Sequence, residues 1–569
     1  MTADPAPSEG DVNRSPLRAA WRAGLSAETR ELLDADERLF LRQSTPCLDV
    51  IVGAEGPWLI DVEGQRILDF HGNSVHQLGH GHTRVVAAVS AALDTLPFSP
   101  RRYTNRYAVD LAERLSALVP IESGKVLFAP SGAAAVSMAL KLARYATGRH
   151  KTLSFWDSFH GANLDTIGVG GEALFRRDLG PMMPGTGHLP PLHLAPRFFG
   201  PDRPFERLAD LIDYTLEVQG DVAALIDEPM RWTTVEPPPE GFWPRVRESC
   251  TRHGTLLVFD EIPSCLARTG TMFACEQAGA APDILVIGKG LGGGVMPMAA
   301  IIAEPRLDCA PQAALGHYTH DKSPLGSAAA LATLDVIADE DLIGRARSLG
   351  HTGLDLLGAL RNRHPVVADV RGFGCYFGVE VSSSEVADKL LYACLRRGLS
   401  FKLGGGTVAT LCPPLTIGDA DFARAVDILD AALDEVGRAA EPLCGGVPGP
   451  RQRAAGRHRA RGGRVRVGEH RGGLGDGGRT SSGSRRPLPS VHPPAEYRAV
   501  RRCQHTNRIT VRLRETHWQG ELTHLVCDVE GVPVRVVATR LPALPVPGET
   551  IDLFFAPGDA TLLPDDARG

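Results

Sequence analysis

The stretch DILVIGKGLGGG, residues 283–294, decides the fold and the chemistry of this chain. Its first half predicts a buried strand, and Lys289 follows that strand in a glycine-rich turn. A second apolar run, TLLVFDEI (255–262), predicts a neighbouring strand that ends at Asp260. A lysine amine at a strand end can hold an aldehyde as a Schiff base, and a buried carboxylate can keep a ring nitrogen protonated. Together the two residues predict a pyridoxal 5'-phosphate (PLP) site.

Each residue also has an ordinary interpretation. Lys289 alone is as well explained as a surface lysine in a loop, and Asp260 as a turn or helix-capping carboxylate. The surrounding pattern favours the site. Strand-like runs such as VAALIDEP (222–229) alternate with helical runs such as AVSMALKLARYA (135–146), which predicts a mostly parallel sheet flanked by helices.

Composition bounds the remaining possibilities. The 569 residues are 43% hydrophobic and 22% charged, as in globular enzymes, and the net charge is −6. This balance gives no overall attraction to nucleic acid or to an anionic membrane. The polar N-terminus and the lack of a long apolar run predict a cytoplasmic protein without a membrane span. The 11 cysteines have no metal-ligand spacing, so we expect no metal site and reduced, buried thiols, although Cys265 and Cys412 are candidates to line the site.

The chain divides into four segments. Residues 1–35 predict a flexible arm, 36–440 an enzyme, 441–504 a disordered linker rich in arginine, glycine and proline, and 505–569 a small β-barrel-like module. Within the enzyme we expect a large parallel-sheet domain at about 101–330 and a smaller α+β domain from 36–100 and 331–440. Strands in 58–70 and 370–381 are candidates to pair in that smaller domain.

The last two segments allow more than one interpretation. The arginine-rich linker has the charge to contact RNA, but it lacks interleaved aromatic residues, so we favour a solvated linker and expect no nucleic-acid partner. Its abrupt onset also resembles GC-rich DNA translated in another frame. The segment 505–569 resembles the TOBE module that ends the ATPase subunits of some small-molecule importers. No ATPase precedes it here, so the tail is interpreted as a remnant of a fused neighbouring gene.

Residues 36–440 resemble the class III family of PLP-dependent enzymes, which have fold type I. APSGAAAVSMALKLAR (129–144) is similar to the family's phosphate turn, in which Ser131, Gly132 and Ala133 begin a helix whose free amides suit an anion. WDSFHGAN (156–163) is similar to the motif whose aromatic ring, here Phe159, stacks on the cofactor, with His160 beside it. Outside such a motif, Phe159 would more often be core and His160 a structural histidine.

The resemblance implies further contacts to the cofactor. Glu228, in the pair Glu-Pro, fits the family pattern. In HYTHDKSPLG (317–326), Thr319 stands where relatives have a threonine that reaches the cofactor phosphate of the partner subunit. The resemblance therefore implies a homodimer in which each subunit completes the other's site.

Two positions bear on the reaction. Transaminases of this family have an arginine three residues before a Pro-Pro pair, where its guanidinium binds a substrate carboxylate. Thr410 occupies that place in TVATLCPPLTI (407–417). The glutamate that neutralises the arginine in ornithine-type relatives is replaced by Thr233. A transaminase must bind a second, carboxylated partner, whereas a lyase restores its cofactor in every turnover, so the two replacements favour elimination.

Four segments resemble the branch of the family that acts as (R)-1-hydroxy-2-aminoethylphosphonate ammonia-lyase: 71–82, 96–106, 171–186 and 228–243. This resemblance implies formation of phosphonoacetaldehyde and ammonia, with Lys289 as the base. A phosphonate dianion needs cationic donors, for which Arg101, Arg102, Arg231 and Lys402 are candidates. The alternatives are an aminotransferase for 2-aminoethylphosphonate or another ω-amine, a phospho-lyase for an amino-alcohol phosphate, and a non-enzymatic ligand sensor that uses the tail.

Overall fold

The computed structural model describes residues 15–42 and 47–440, and the backbone of four strands between 507 and 555. Contacts divide the chain into one unit of residues 6–444 and another that contains residues 1–5 and 445–569. The first unit holds the predicted site and is described first.

A seven-stranded sheet forms the centre of the first unit, in the order β4-β10-β9-β8-β7-β5-β6. The strands β5 to β9 run parallel, while β10 pairs antiparallel with both β4 and β9. The sheet is therefore mostly parallel, as the sequence predicted, and β10 makes it mixed as the one strand of the seven that runs in the opposite direction. The strand bounds are β4 Lys125–Ala129, β5 Lys151–Phe155, β6 Thr186–Leu189, β7 Val222–Asp227, β8 Leu256–Asp260, β9 Ile284–Ile287 and β10 Ala299–Ala303.

The central strands are apolar on both faces because helices cover both. All residues of β7, β8 and β9 are buried, as expected for parallel strands between helical layers. Alternate residues enter two different cores. Val258 and Val286 pack on the helix Gly132–Thr147, whereas Leu257 and Leu285 belong to the larger core on the other face. The sheet thus ends its parallel strands at one edge, and Asp260 and Lys289 both lie there.

Fifteen helices of four or more residues lie in the described part of 15–440. Their bounds are α1 Pro16–Gly24, α2 Ala27–Leu39, α3 Thr83–Thr95, α4 Arg106–Leu118, α5 Gly132–Thr147, α6 Leu164–Val169, α7 Ala173–Arg176, α8 Ala195–Phe199, α9 Pro204–Gln219, α10 Phe242–His253, α11 Cys275–Ala278, α12 Pro324–Asp339, α13 Leu342–Arg363, α14 Ser384–Leu395 and α15 Asp419–Ala440.

The first unit has two further sheets of four strands each. The first has the order β1-β2-β3-β13 and the second β11-β12-β15-β14. The segments 58–70 and 370–381 therefore lie in different sheets, and the pairing proposed for them is wrong. Instead β3 pairs with β13, and the amide of Cys412 donates to the carbonyl of Phe70 at 2.8 Å. The bounds are β1 Ile51–Glu55, β2 Trp58–Asp61, β3 Arg66–Asp69, β11 Val367–Phe373, β12 Tyr376–Val381, β13 Leu399–Ser400, β14 Lys402–Gly404 and β15 Val408–Leu411.

The turn after β3 is held by a buried carboxylate. Asp69 accepts hydrogen bonds from the amides of His71 and Gly72, at 2.9 and 2.8 Å, and lies 2.9 Å from Nε2 of His80. The ring of His76 is fully buried, and its Nε2 donates to the carbonyl of Asp69 at 2.9 Å. Burial opposes ionisation of Asp69, but His80, His76 and the two amides outweigh it and lower its pKa to about 2. Burial lowers the pKa of His76 to about 4.

The N-terminal segment is more ordered than the sequence suggested. The helices α1 and α2 begin at the side-chain caps Ser15 and Ser26, whose hydroxyls accept from amides in the first turn. The indole of Trp21 donates to the carbonyl of Leu48 at 2.8 Å and its ring lies 6.4 Å from that of Tyr392. A flexible arm over the whole of 1–35 is therefore wrong for residues 16–35, because this apolar contact anchors α1.

The second unit is described only as backbone. Four antiparallel strands pair in the order β18-β17-β16-β19. They span β16 Asn507–Gln519, β17 Leu522–Val529, β18 Val532–Ala538 and β19 Thr550–Phe555. The predicted linker lies outside the described residues, and both the barrel-like closure and the TOBE resemblance stay predictions. Among the described residues, no helix is long and apolar enough to cross a membrane.

Candidate active site

Lys289 begins a short 3-10 helix directly after β9. Its φ angle is 45°, in the left-handed region that side chains seldom adopt, and its neighbours are both glycines. A Cβ on Gly290 would overlap the amide of Gln77, so the turn is closely packed. Burial, and then the charge of Lys402, lower the pKa of the Lys289 amine. More of this amine is therefore unprotonated near neutral pH than for an exposed lysine, as a nucleophile or base requires.

Asp260 lies at the end of β8 and is 2% exposed. One carboxylate oxygen accepts from the amide of Ile262 at 3.1 Å, and the other lies 2.9 Å from Nδ1 of His160. Burial disfavours a charged His160, but its hydrogen bond to Asp260 and the charge of that carboxylate outweigh burial and raise the pKa of the ring. The lone pairs of Asp260 that remain can accept from a further donor, such as a pyridinium N–H.

The start of α5 forms a small cradle. Ser131 caps the helix by accepting from the amide of Ala134 at 3.3 Å. The amides of Gly132 and Ala133 lie in the first turn, where a helix leaves its N–H groups without internal partners. A Cβ on Gly132 would come within 2.6 Å of Ile262, so the glycine permits close packing of the turn on the segment after Asp260. Exposed Ser131 and half-buried Gly132 and Ala133 suit an anion such as a phosphate.

Phe159 lies on the connection from β5, directly before His160. Its ring is 36% exposed and lies 4.5 Å from the ring of Phe175 at an angle of 45°. A Cβ on Gly161, which has a φ of 122°, would come within 2.6 Å of Cβ of Ala133. The aromatic segment therefore packs on the helix start that forms the cradle. Phe159 thus has an accessible ring in the place where the sequence predicted a stacking residue.

Glu228 follows β7 and is 8% exposed. Its carboxylate accepts from the amide of Trp232 at 2.7 Å. Burial raises the pKa of Glu228, although Arg231 lowers it. Arg231 is half-buried, and its Nε is enclosed without a hydrogen-bond partner among the described residues. Arg231 thus has a donor available for an anionic ligand.

The other candidate anion-binding residues separate into two groups. Arg101, Arg102 and Thr319 are exposed on two loops that contact each other. Arg101 donates to the carbonyl of Gly316 at 3.0 Å and lies 3.5 Å from the carboxylate of Asp321. These bonds hold the two loops together, and no contact places the three residues beside Lys289 within the described chain.

Lys402 and Thr410 belong to one hairpin of the second four-stranded sheet. They are cross-strand partners in β14 and β15, and the charge of Lys402 acts on the pKa of Lys289. Thr410 is 2% exposed, and its hydroxyl donates to the carbonyl of Thr233 at 3.3 Å. A Cβ on Gly404 would overlap the same carbonyl. Segment 231–234 thus packs directly on the β14–β15 hairpin.

Three residues near the site were not expected from the sequence. The ring of Trp232 has its centre 5.7 Å from Nζ of Lys289, and it stacks on Tyr376. Glu172 is half-buried, and burial raises its pKa while Lys402 and Arg231 lower it. Both Trp232 and Glu172 lie in segments quoted for their resemblance, but only the folded chain shows that Trp232 lies beside Lys289 and that the charges of Lys402 and Arg231 act on Glu172.

Known proteins match most of the first unit of this chain. A profile of the family "Aminotransferase class-III" matches residues 40–433. The chain belongs to the class III aminotransferase family. The fold is the PLP-dependent aminotransferase fold, with a mixed sheet and helices.

Individual relatives of the class III family differ in the reactions that their names state. The (R)-1-hydroxy-2-aminoethylphosphonate ammonia-lyase of Vibrio splendidus is 41% identical over 457 residues, which cover 75% of this chain and 95% of the relative. The acetylornithine aminotransferase of Methanothermobacter thermautotrophicus is 31% identical, over 72% of this chain and 100% of the relative. A PLP-bound amine transaminase from an uncultivated Pseudomonas species matches with a TM-score of 0.64 and 31% identity, over 68% of this chain and 95% of the other.

The cofactor of this class III enzyme is pyridoxal 5'-phosphate. Nε2 of His160 is buried without a partner, Asp260 has lone pairs to spare, and the first turn of α5 is open. These features fit the cofactor's ring and phosphate. We expect Lys289, Asp260 and the 131–133 turn to hold it, with Phe159 on its ring.

Proposed function

We propose that the protein is an ammonia-lyase that converts (R)-1-hydroxy-2-aminoethylphosphonate to phosphonoacetaldehyde and ammonia, in phosphonate catabolism. The observation that carries this proposal is the hydrogen bond from Thr410 to the carbonyl of Thr233. Two neutral groups satisfy each other where a transaminase has a cation for the carboxylate of its second substrate. The 41% identity to the Vibrio splendidus lyase supports the same conclusion.

The residues around Lys289 have the roles that elimination needs. The bound PLP supplies an electron sink for the pair left when a C–H bond breaks. The Lys289 amine, whose pKa is lowered by burial, takes that proton at Nζ from the carbon that bears the nitrogen. Asp260, with His160 hydrogen-bonded to it at 2.9 Å, supplies fixed negative charge at the end of β8.

The phosphonate requires cationic donors beside the reacting carbon. Arg231 and Lys402 are the candidates whose charges act on groups of the site: both lower the pKa of Glu172, and Lys402 also lowers that of Lys289. Guanidinium and ammonium groups bind such dianions through short charge-assisted hydrogen bonds. We assign the phosphonate to Arg231 and Lys402 in preference to Arg101 and Arg102.

Elimination and transamination differ in their need for an acceptor. Purified protein with PLP and the hydroxylated aminophosphonate, without any oxo-acid, should release ammonia and aldehyde in equal amounts over many turnovers. The Lys289→Ala variant should abolish this release because the proton acceptor is lost. Product formation that begins only after pyruvate or 2-oxoglutarate is added would identify an aminotransferase, as in the acetylornithine relative.

We also propose that the protein is a homodimer in which exposed Thr319 and its loop complete the partner's cofactor site. The backbone sheet of residues 507–555 is compatible with a TOBE-like ligand module, and a PLP absorbance band that shifts with amine substrates would distinguish an enzyme from a ligand sensor.

A further inference from the structure

A cavity of about 480 Å³ lies between two parts of the first unit. One side has residues from the segments 192–205 and 234–239, and the other has residues of β11 and β12 and of the segment 405–408. Its volume is in the range of cavities that bind small molecules, about 300 to 1,000 Å³. None of the residues assigned to the cofactor lines it. No step of the proposed reaction uses this cavity.

The guanidinium of Arg371 lines the cavity but is already engaged. Its Nη1 donates to the carboxylates of Asp369 and Glu380, at 3.0 and 2.6 Å. Its Nε donates to the carbonyl of Val235 at 3.0 Å and its Nη2 to that of Thr234 at 2.7 Å. Two carboxylates therefore neutralise one guanidinium, and each of its nitrogens has a partner. The cavity is poorly suited to an anion.

Glu236 provides a second carboxylate that lines the cavity. Its side chain is 17% exposed, and Oε2 lies 3.5 Å from Nδ1 of His193. Burial lowers the pKa of His193, although the charge of Glu236 opposes this, so the ring is mostly neutral near neutral pH. Among the described residues, no lysine or arginine forms an ion pair with the Glu236 carboxylate. A half-buried carboxylate in this state favours a cationic partner.

The remaining lining of the cavity is largely apolar. Phe205 is half-buried, so part of its ring is accessible. An aromatic ring close to a carboxylate is typical of sites for ammonium groups, because the ring face attracts a cation that the carboxylate also attracts. The further apolar residues of the lining are Leu192, Pro237, Pro239 and Val408. A compact cation with an apolar body matches both kinds of group.

We propose that this cavity binds a small organic cation, an ammonium group with a short apolar body, and that Glu236 receives its charge. Three carboxylates, those of Glu236, Glu380 and Asp369, are set against the single guanidinium of Arg371. The net charge at the cavity is therefore negative. The site is independent of the proposed lyase reaction, because it shares no residue with the cofactor site.

Choline and its uncharged isostere 3,3-dimethylbutan-1-ol test the selection for charge on the full chain loaded with PLP. Choline has no N–H group, so it cannot take the place of Lys289 on the cofactor. Titration calorimetry should give a dissociation constant for choline of about 1 mM or lower. The isostere should bind at least about tenfold more weakly. The PLP absorbance band should stay unchanged, because the ligand does not contact the cofactor.

A matched pair of variants locates the charge. Glu236→Gln keeps the shape of the side chain and should weaken choline binding at least about tenfold. Glu240→Gln removes the same charge from an exposed residue that does not line the cavity, and its affinity should stay within about twofold of wild type. Melting temperature and PLP content show that each variant is folded. If Glu236→Gln is unstable, Phe205→Leu keeps the lining apolar and should weaken choline about threefold.

Three results would overturn the inference. They are an absence of choline binding up to about 10 mM, equal affinities for choline and the isostere, and a folded Glu236→Gln variant with the wild-type affinity. None of them depends on whether ammonia is released from the hydroxylated aminophosphonate. A failure of the lyase proposal would therefore appear in the elimination assay alone.

Discussion

Buried carboxylates in this chain serve different purposes at neighbouring strands. Asp260 ends β8 with a histidine as its side-chain partner, while Asp283 precedes β9 and binds Arg247 at 2.5 Å as well as Arg306. Both residues are 2% exposed. The carboxylate of Asp283 is neutralised by its ion pairs with the two arginines, which is a structural role. Among the described residues, the charge of Asp260 is shared with an imidazole and an amide alone, which leaves it available to a cofactor.

This contrast provides a matched pair of variants. Asp260→Asn should lower kcat by about 100-fold or more, because a fixed charge that stabilises the transition state is lost. Its cofactor absorbance should also change, since the ring nitrogen loses its anionic partner. Asp283→Asn should lower the melting temperature while the protein that retains PLP keeps its kcat. Equal losses of kcat in the two variants would contradict the role given to Asp260.

At the scale of elements, the turn between β3 and α3 links folding to pH. His76 is buried and neutral beside Asp69, and its folded pKa of about 4 lies below the ordinary 6.5. The unfolded chain therefore binds this proton more readily than the folded chain between those values. The resulting contribution to the free energy of unfolding is complete above pH 6.5 and is lost as the pH falls towards 4, by about 3 kcal/mol.

A variant isolates this contribution. His76→Asn should be less stable than wild type at pH 7.5, but its stability should fall less steeply between pH 6.5 and 4.5. Melting temperatures of both proteins across that range provide the comparison. Parallel curves would show that His76 does not couple to protonation in this window.

The sequence predicted some elements better than others for physical reasons. The strands β7 to β9 and the helix α5 were predictable because their apolar residues must be covered on both faces or along one stripe. The antiparallel direction of β10 was not, since a short apolar run such as AAIIA contains nothing that indicates whether its strand runs parallel or antiparallel to its neighbours. The pairing of the strand within 58–70 with residues 399–400 could not be predicted either. Short strands specify a partner only through contacts with side chains that are distant in the sequence.

The residues of the site also differ in how well the sequence predicted their positions. Lys289, Asp260 and His160 follow recognisable strands and motifs, so their proximity could be anticipated. The stack of Trp232 on Tyr376 joins two remote segments, and neither residue has a spacing that indicates a contact. Arg101 and Arg102 had the right charge for a phosphonate, but charge in a sequence does not reveal that Arg101 bonds to Gly316 and Asp321.

For the whole molecule, the family match and the compact first unit end close together, at residues 433 and 444. A chain cut after residue 440 should therefore load PLP, keep its kcat within about twofold and melt within about 2 °C of the full chain. Absorbance, steady-state kinetics and calorimetry of the two proteins test this. A large loss in the shortened chain would assign the 445–569 segment a part in the enzyme's stability or catalysis.

The contact of Gly404 with the carbonyl of Thr233 bears on how one reaction could be converted into another. A guanidinium introduced by Thr410→Arg would need the volume that this backbone contact fills. Conversion of the proposed lyase to a transaminase therefore demands a displaced hairpin as well as a new side chain, and we expect variants with one of these changes alone to gain no amine transfer. Laboratory evolution towards amine transfer should begin with insertions or deletions in the 404–407 turn, because point mutation leaves that barrier in place.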